Sequence, residues 1–357
     1  MIDVYQLDGM RARATRLQGT AIPPDAIWID LISPTREEEA AVERFCGLEV
    51  PTREEMREIE VSSRLYSEDG GDFMTASVVY GLDSGMPMFA PVTFILVGGR
   101  LVTLRYTEPK SFAIFSGKLC RDLSEAGLPK AIATEAPLIV ESEEAEPPRA
   151  PNATRAKAPT ADTILIGLLE TVIDRVADMM ETIAADLDRI AADIFTASRG
   201  KAPIATHEFK SLLRRIGAAG DLSSRTRESL ATLDRMMPFL QIVLIGRKAP
   251  KEARARTKAM VRDLHSLNDF VAFLSNKTTF LLDTTVGMIS IEQNAIIKIF
   301  SVAAVGFMPP TLVASIYGMN FEHMPELKWA LGYPMALGVM LLSAVLPLIF
   351  FRYKRWL

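Results

Sequence analysis

The chain of 357 residues has few of the side chains that build metal centres and redox sites: two cysteines, Cys46 and Cys120, and three histidines. No C-x-x-C occurs, and no histidine has a second His or Cys at ligand spacing. That excludes a zinc ribbon, a disulfide framework and a dithiol redox centre. His207 and His265 fall on charged helical stretches, and His323 falls in a short loop. There is no P-loop, so nothing points to ATP-driven work. A strong charge of either sign is also missing. A net charge of −4 predicts neither nucleic-acid binding nor an acidic disordered tail. The acid runs Glu37-Glu38-Glu39 and Glu54-Glu55 read as solvated first-turn carboxylates favoured by the helix dipole. No catalytic constellation emerges, so neither enzyme activity nor an organic cofactor is expected. The opening residues, MIDVYQLDGMRARATRLQG, lack the apolar stretch of a secretory signal, so the chain is expected to start in the cytosol and to insert by its C-terminal end.

What is present is unevenly distributed. Residues 1–295 read as soluble and charged, while the remainder reads as membrane. No charge interrupts Ile299 to Phe321 or Trp329 to Phe351, two runs of about 23 residues. About 20 apolar residues suffice for a helix to cross the hydrocarbon. The segment between them, Glu322 to Lys328, is short enough to force an antiparallel hairpin. Lys298 precedes the first run, and Arg352, Lys354 and Arg355 follow the second. Counting Lys and Arg puts both termini in the cytoplasm and the short loop outside. Trp329 and Tyr333, and Tyr353 and Trp356, sit where interfacial aromatics belong.

The first run has an unusual face. Stepping alternately by three and four gives Asn294, Ile297, Ser301, Ala304, Met308, Thr311, Ser315 and Gly318, small or polar at most positions. Such a stripe serves tight helix packing or lines a water-filled path, and its residues alone leave both open. The Pro309-Pro310 pair removes backbone donors mid-span and should loosen the helix there. Two spans per chain cannot enclose a pathway, so a pore needs several copies around an axis.

In the soluble part, Ile27–Leu31 and Phe73–Leu82 read as strands, and VTFILVGGRLVTLRY reads as a hairpin turned at Gly98-Gly99. Thr35 with Glu38, and Thr52 with Glu55, form capping-box patterns that open helices. A helix follows from about Ser111 to Ala126. The stretch from Glu141 to Pro159 carries Pro, Ala and charge without periodicity. From Thr160 onward everything reads as helix. The last helix shows no stop signal before the first span, and its 3.5-residue seam of Leu264, Leu267, Val271, Leu274, Thr278, Leu281, Thr285 and Met288 runs almost in phase with the polar stripe. The seam fits self-association around an axis or packing on the chain's own preceding helices.

The expected fold class is an α+β membrane protein. It has an α/β domain over residues 1–135, a linker over 136–160 and a helical pair over 161–248. A stalk helix over 249–295 is continuous with a first span over 296–321. A loop over 322–328, a second span over 329–351 and a basic tail over 352–357 complete the chain.

The stretch Tyr317-Gly318-Met319-Asn320-Phe321, with the loop Glu322-His323-Met324-Pro325-Glu326-Leu327, resembles the CorA family of divalent-cation channels. The resemblance is close over residues 289–357 and architectural before them. It implies a funnel-shaped homopentamer in the inner membrane, with the first span lining the pore. It implies that Gly318, Met319 and Asn320 form the selectivity filter. Asn294, Met308 and Thr311 match a pore Asn, a hydrophobic gate and a pore Thr. Ser315 and Pro310 replace a more usual Gly and Leu. The implied cargo is Mg²⁺, with Co²⁺ or Ni²⁺ beside it. Intracellular Mg²⁺ would close the pore by binding acids between cytosolic domains, for which Asp83, Asp263 and Asp269 are the candidates. Glu322 and Glu326, repeated around an axis, would concentrate cations at the mouth. Two other readings stay open: a Zn²⁺ transporter of the ZntB branch, against which the Glu-His-Met-Pro-Glu-Leu loop speaks, and a membrane-anchored sensory or scaffold protein, against which the polar stripe speaks.

Overall fold

The structure is a computed structural model that describes residues 1–9, 11–82, 87–120, 158–197, 206–319, 325, 329 and 331–354. It divides into two compact units, Met1–Leu187 with Ala218–Thr278, and Asp188–Gly217 with Thr279–Leu357.

The first unit is built on a seven-stranded sheet. Its strands are β1 (Ile2–Asp8), β2 (Arg11–Arg16), β3 (Ala26–Ile32), β4 (Leu65–Glu68), β5 (Gly71–Tyr80), β6 (Met88–Val97) and β7 (Arg100–Arg105), in the order β2-β1-β3-β7-β6-β5-β4. Among the described residues, β3 and β7 pair in parallel and the other neighbours are antiparallel. The β6–β7 hairpin turns at Gly98 and Gly99, both at positive φ (50° and 80°), which glycine adopts without a Cβ penalty.

Alternation along β3 sends its side chains to two different surfaces. Ile29 and Leu31 join Ile2, Val4, Phe73, Ile95 and Leu104 in one core, covered by Val42 of helix α1 (Arg36–Cys46). The Thr35–Glu38 box that opens α1 is closed in both directions, and Gly47 ends it in the left-handed conformation. The Thr52–Glu55 box also forms, with Glu55 N–H donating to Thr52 Oγ1 at 3.3 Å. It opens only a three-residue 3₁₀ turn, Glu55–Arg57, because Glu58 turns to extended backbone (ψ 143°). A single turn, α2 (Val61–Arg64), then leads into β4.

The opposite sheet surface carries Trp28 and Asp30. Trp28 stacks on Tyr5 at 4.1 Å and meets Phe112 and Phe115 of helix α3 (Lys110–Cys120). Its indole N–H donates to Thr103 Oγ1 at 3.0 Å, and the Thr103 hydroxyl donates to Asp30 at 2.6 Å. Arg105 grips the same carboxylate, its Nη2 at 2.8 Å and its Nε at 3.1 and 3.2 Å from the two oxygens. Burial pushes the Asp30 carboxyl up, against the pull of Arg105 and Thr103. The residues of the expected α3 helix beyond Cys120 lie outside the described residues.

Three long helices follow: α4 (Ala161–Ala197), α5 (Thr206–Gly246) and α6 (Lys251–Tyr317), with α7 (Gly332–Tyr353) last. In the first unit, Gly167 lets α4 approach α3, since a Cβ there would stand 2.6 Å from the Phe115 ring. Ser229 and Thr232 of α5 hydrogen-bond the Ser77 backbone of β5 at 2.6 and 2.9 Å. Arg256 of α6 holds Glu170 of α4 through two bonds, at 2.9 and 2.6 Å.

The seam on α6 has a definite partner: the chain itself. Leu264, Val271, Leu274, Thr278, Leu281 and Thr285 are buried with no second copy present. Thr278 and Thr285 satisfy their hydroxyls on the carbonyls of Leu274 and Leu281, which lets a polar residue sit in an apolar seam. At Gly220 of α5 a Cβ would approach the Thr278 methyl to 3.3 Å, so α5 is one of the surfaces covering it. Self-association through this seam is therefore not available.

Candidate ion-conducting site

Among the described residues three helices are long and apolar enough to cross a membrane: α5 over His207–Gly246, α6 and α7. Half of the apolar window of α5 is buried in the protein, whereas those of α6 and α7 are almost wholly exposed. Ile299, Phe300, Phe307, Leu312, Leu341 and Ile349 all present large apolar side chains outward; Phe307 is 76% exposed. A continuous surface of this kind belongs in lipid or against a partner. α6 runs unbroken through Pro309 and Pro310 as helix for 67 residues, about 100 Å at 1.5 Å per residue. Each proline removes an intrahelical donor, which leaves the carbonyls of Val305 and Gly306 without theirs.

Within the second unit, α7 covers one face of α6. A Cβ at Gly306 would lie 4.0 Å from Leu348 of α7. Val302, Gly306, Pro309, Pro310, Val313 and Tyr317 are only half exposed, at helical spacing. Asn294, Ile297, Ala304, Met308, Thr311 and Ser315 are exposed, and Ser301 is half exposed. At about 100° per residue, this stripe is centred roughly 180° from Gly306. The polar face of α6 is thus the one α7 does not use. Packing against α7 therefore does not account for its small residues, which leaves packing between copies and a water-filled path.

The phase of the seam also differs from the expectation. Continued by strict alternate steps of four and three, the seam passes through Glu292, Ala295, Ile299, Val302, Gly306 and Pro309. It leads onto the face covered by α7, not onto the polar stripe. One stretch of helix therefore carries two separate faces, and periodicity alone merged them.

The chemistry of the stripe is weakly polar and uncharged. Thr311 donates its hydroxyl hydrogen to the Phe307 carbonyl at 2.8 Å, so only its oxygen lone pairs face outward. An acceptor of this kind suits the water shell of a cation and does not replace it. Met308, 69% exposed, is the bulky apolar member of the row. α6 ends at Tyr317, and the Gly318 N–H returns to the Ala314 carbonyl at 3.0 Å. A Cβ at Gly318 would stand 3.1 Å from that carbonyl, a close backbone approach that a side chain would crowd. Met319 is exposed. Asn320, Glu322 and Glu326 lie outside the described residues.

Of the acids considered for regulation, Asp263 and Asp269 are exposed on α6, and Asp83 lies outside the described residues. Among the described residues no three His, Cys, Asp or Glu side chains come together as a metal site. Asp263 does take part in a wider acidic field. Asp174 of α4 is held above the usual carboxylate range first by burial, and then by Glu170, Asp178 and Asp263 acting against Lys118.

The whole chain is 32% identical over 363 residues to the magnesium transport protein CorA of Sodalis glossinidius, covering 100% of both chains. It is 32% identical over 359 residues to the protein of that name from Salmonella typhimurium, again over 100% of both. Its fold is similar to the complete structure of the CorA magnesium transporter from Methanocaldococcus jannaschii, with a TM-score of 0.63 at 15% identity over 100% of this chain and 99% of the other. Residues 24–355 match the model of the CorA-like Mg²⁺ transporter protein family. On these matches the chain belongs to the CorA-like Mg²⁺ transporter family.

Proposed function

We propose that this chain forms a homopentameric channel for passive Mg²⁺ uptake across the inner membrane, with Co²⁺ and Ni²⁺ as further cargo. Five α6 helices surround the axis and turn toward it Asn294, Ile297, Ser301, Ala304, Met308, Thr311 and Ser315. Met308 makes the apolar constriction. Gly318 and Met319 set the backbone for a ring of Asn320 carbonyls, the filter. Both termini lie in the cytoplasm, and Glu322 and Glu326 rim the outer mouth.

The observation that carries this reading is the placement of the polar stripe opposite the face covered by α7. A face this polar suits neither lipid nor α7, and a shared aqueous axis gives it an environment. Mg²⁺ dehydrates reluctantly and keeps its waters at most sites. Neutral carbonyl and hydroxyl acceptors hydrogen-bond those waters and let the ion leave again. Relatives 32% identical over their full length carry magnesium transport in their names, which favours Mg²⁺ over Zn²⁺. Intracellular Mg²⁺ regulates the channel through Asp83, Asp263 and Asp269 of adjoining copies, as the family resemblance implies.

Uptake in a Mg²⁺-transport-deficient cell tests the reading. Wild type restores growth at low Mg²⁺, and Asn320→Ala loses ion discrimination. Failure of the wild type to carry Mg²⁺, with clear Zn²⁺ uptake in its place, overturns it.

A further inference from the structure

The α6–α7 hairpin of the second unit is not closely packed along its whole length. Near the end that carries Lys298, the helices part to leave a groove of about 920 Å³. Val302, Gly306 and Phe307 line it from α6, and Met340, Ala344 and Leu348 from α7. Its one charged lining residue is Lys298, at the boundary between the apolar run and the charged part of α6. Arg352 follows Leu348 by about one helical turn and is exposed at the same end of the hairpin.

We infer that this groove is a binding site for an anionic phospholipid of the cytoplasmic leaflet, an acyl chain lying in the groove and the phosphate meeting Lys298. The inference rests on reading α6 and α7 as membrane spans. Three observations select this occupant. The lining on α6 is centred opposite the polar stripe, so the groove opens away from the proposed axis and toward hydrocarbon. The interior is mostly apolar, which an acyl chain matches and water does not. The entrance offers positive charge at the depth of the headgroups. A helix from a second copy fits less well. No acid occurs in either apolar run, 299–321 or 329–351, so an inserted span leaves Lys298 without a counter-charge.

The test uses the purified full chain in mixed phosphatidylglycerol and phosphatidylcholine, with bound lipid counted by native mass spectrometry. Wild type should prefer the anionic lipid by about fivefold, the effect of one lysine near an anionic headgroup. Lys298→Gln should reduce this preference to near unity. Ala344→Trp, which fills the groove, should lower the retention of both lipids. Oligomer mass and melting temperature, measured on each variant, identify those that remain folded; Lys298→Gln at an exposed position keeps the test decisive if Ala344→Trp does not fold. Equal binding of the two lipids by wild type overturns the inference, as does an undiminished preference in Lys298→Gln. So does a wild-type groove that retains no lipid and is closed instead by a cross-link between Phe307→Cys and Leu341→Cys of different copies.

Discussion

Replacing Arg105 by methionine keeps much of the side-chain volume but leaves the Asp30 carboxylate in the sheet with Thr103 as its remaining donor. Asp30 is 1% exposed, and four contacts from Arg105 and Thr103, between 2.6 and 3.2 Å, now satisfy it. Removing one partner of a buried pair costs about 3–5 kcal/mol, because the remaining charge has neither water nor counter-ion. The reverse change, Asp30→Leu, is expected at the lower end of that range. The guanidinium keeps the Thr107 carbonyl at 2.8 Å and lies over the Phe112 ring at 4.6 Å. Removing both charges together should cost only about 1 kcal/mol, mainly for the Thr103 hydroxyl that loses its acceptor. The double-mutant cycle therefore predicts a coupling of about 5 kcal/mol, the two single losses less the loss of the double variant. Trp28, which donates to Thr103, supplies the optical probe. With Trp329→Phe and Trp356→Phe it becomes the only tryptophan among the three. Denaturant melts of the full chain in detergent, followed by its fluorescence, report the loss of this sheet locally. Single variants that each lose less than about 1 kcal/mol would refute the reasoning, since exposed pairs have that value. A double variant as unstable as the two losses added would refute it equally.

Cysteine scanning separates the two faces of α6. Ser301→Cys and Thr311→Cys should react with small cationic thiol reagents added to open channels and should block uptake, while Val302→Cys and Val313→Cys should react at least about tenfold more slowly, as residues on the α7 side. Equal rates on both faces would remove the axial assignment. Gly167→Ala brings a Cβ to 2.6 Å from the Phe115 ring and should destabilise the first unit by about 1–3 kcal/mol, read from the same Trp28 signal. Glu322→Gln with Glu326→Gln should slow Mg²⁺ uptake at low ionic strength and have little effect at high salt, where such fields are screened; uptake unchanged at low salt removes the collecting role.

The parts of the fold that could be read in the sequence are those whose signal is local. Thr35 and Glu38 close their box because Ala41 and Val42 follow on a face that the sheet buries. Thr52 and Glu55 make the same bonds, but only Met56 is buried after them, and the helix stops within a turn. Capping chemistry starts a helix, and burial of a face is needed to continue it. β2 was not visible as a strand because RARATR is an edge strand whose charges suit its exposed side. β1 and β4 are likewise not among the strands expected from the sequence. β4 has only four residues, none of them buried, too few for a clear alternation.

The candidate site was legible in composition but not in phase, and α6 explains why. A row of Leu and Thr at 3.5-residue spacing has the same pattern whether its partner is the same chain or another copy. Thr278, Thr285 and Thr311 all donate their hydroxyl to the carbonyl four residues back, so local chemistry does not distinguish them either. What separates them is what lies across from each: Thr278 and Thr285 are buried in the chain, and Thr311 is open. Two residues of offset, between Glu292 on one row and Asn294 on the other, turn the face by about 200°. The membrane part of α6 can therefore keep α7 on one side and a polar row on the other without a break in the helix. A pore built from this row needs no new element. It needs only copies of the chain placed so that the face α7 leaves open meets itself around an axis.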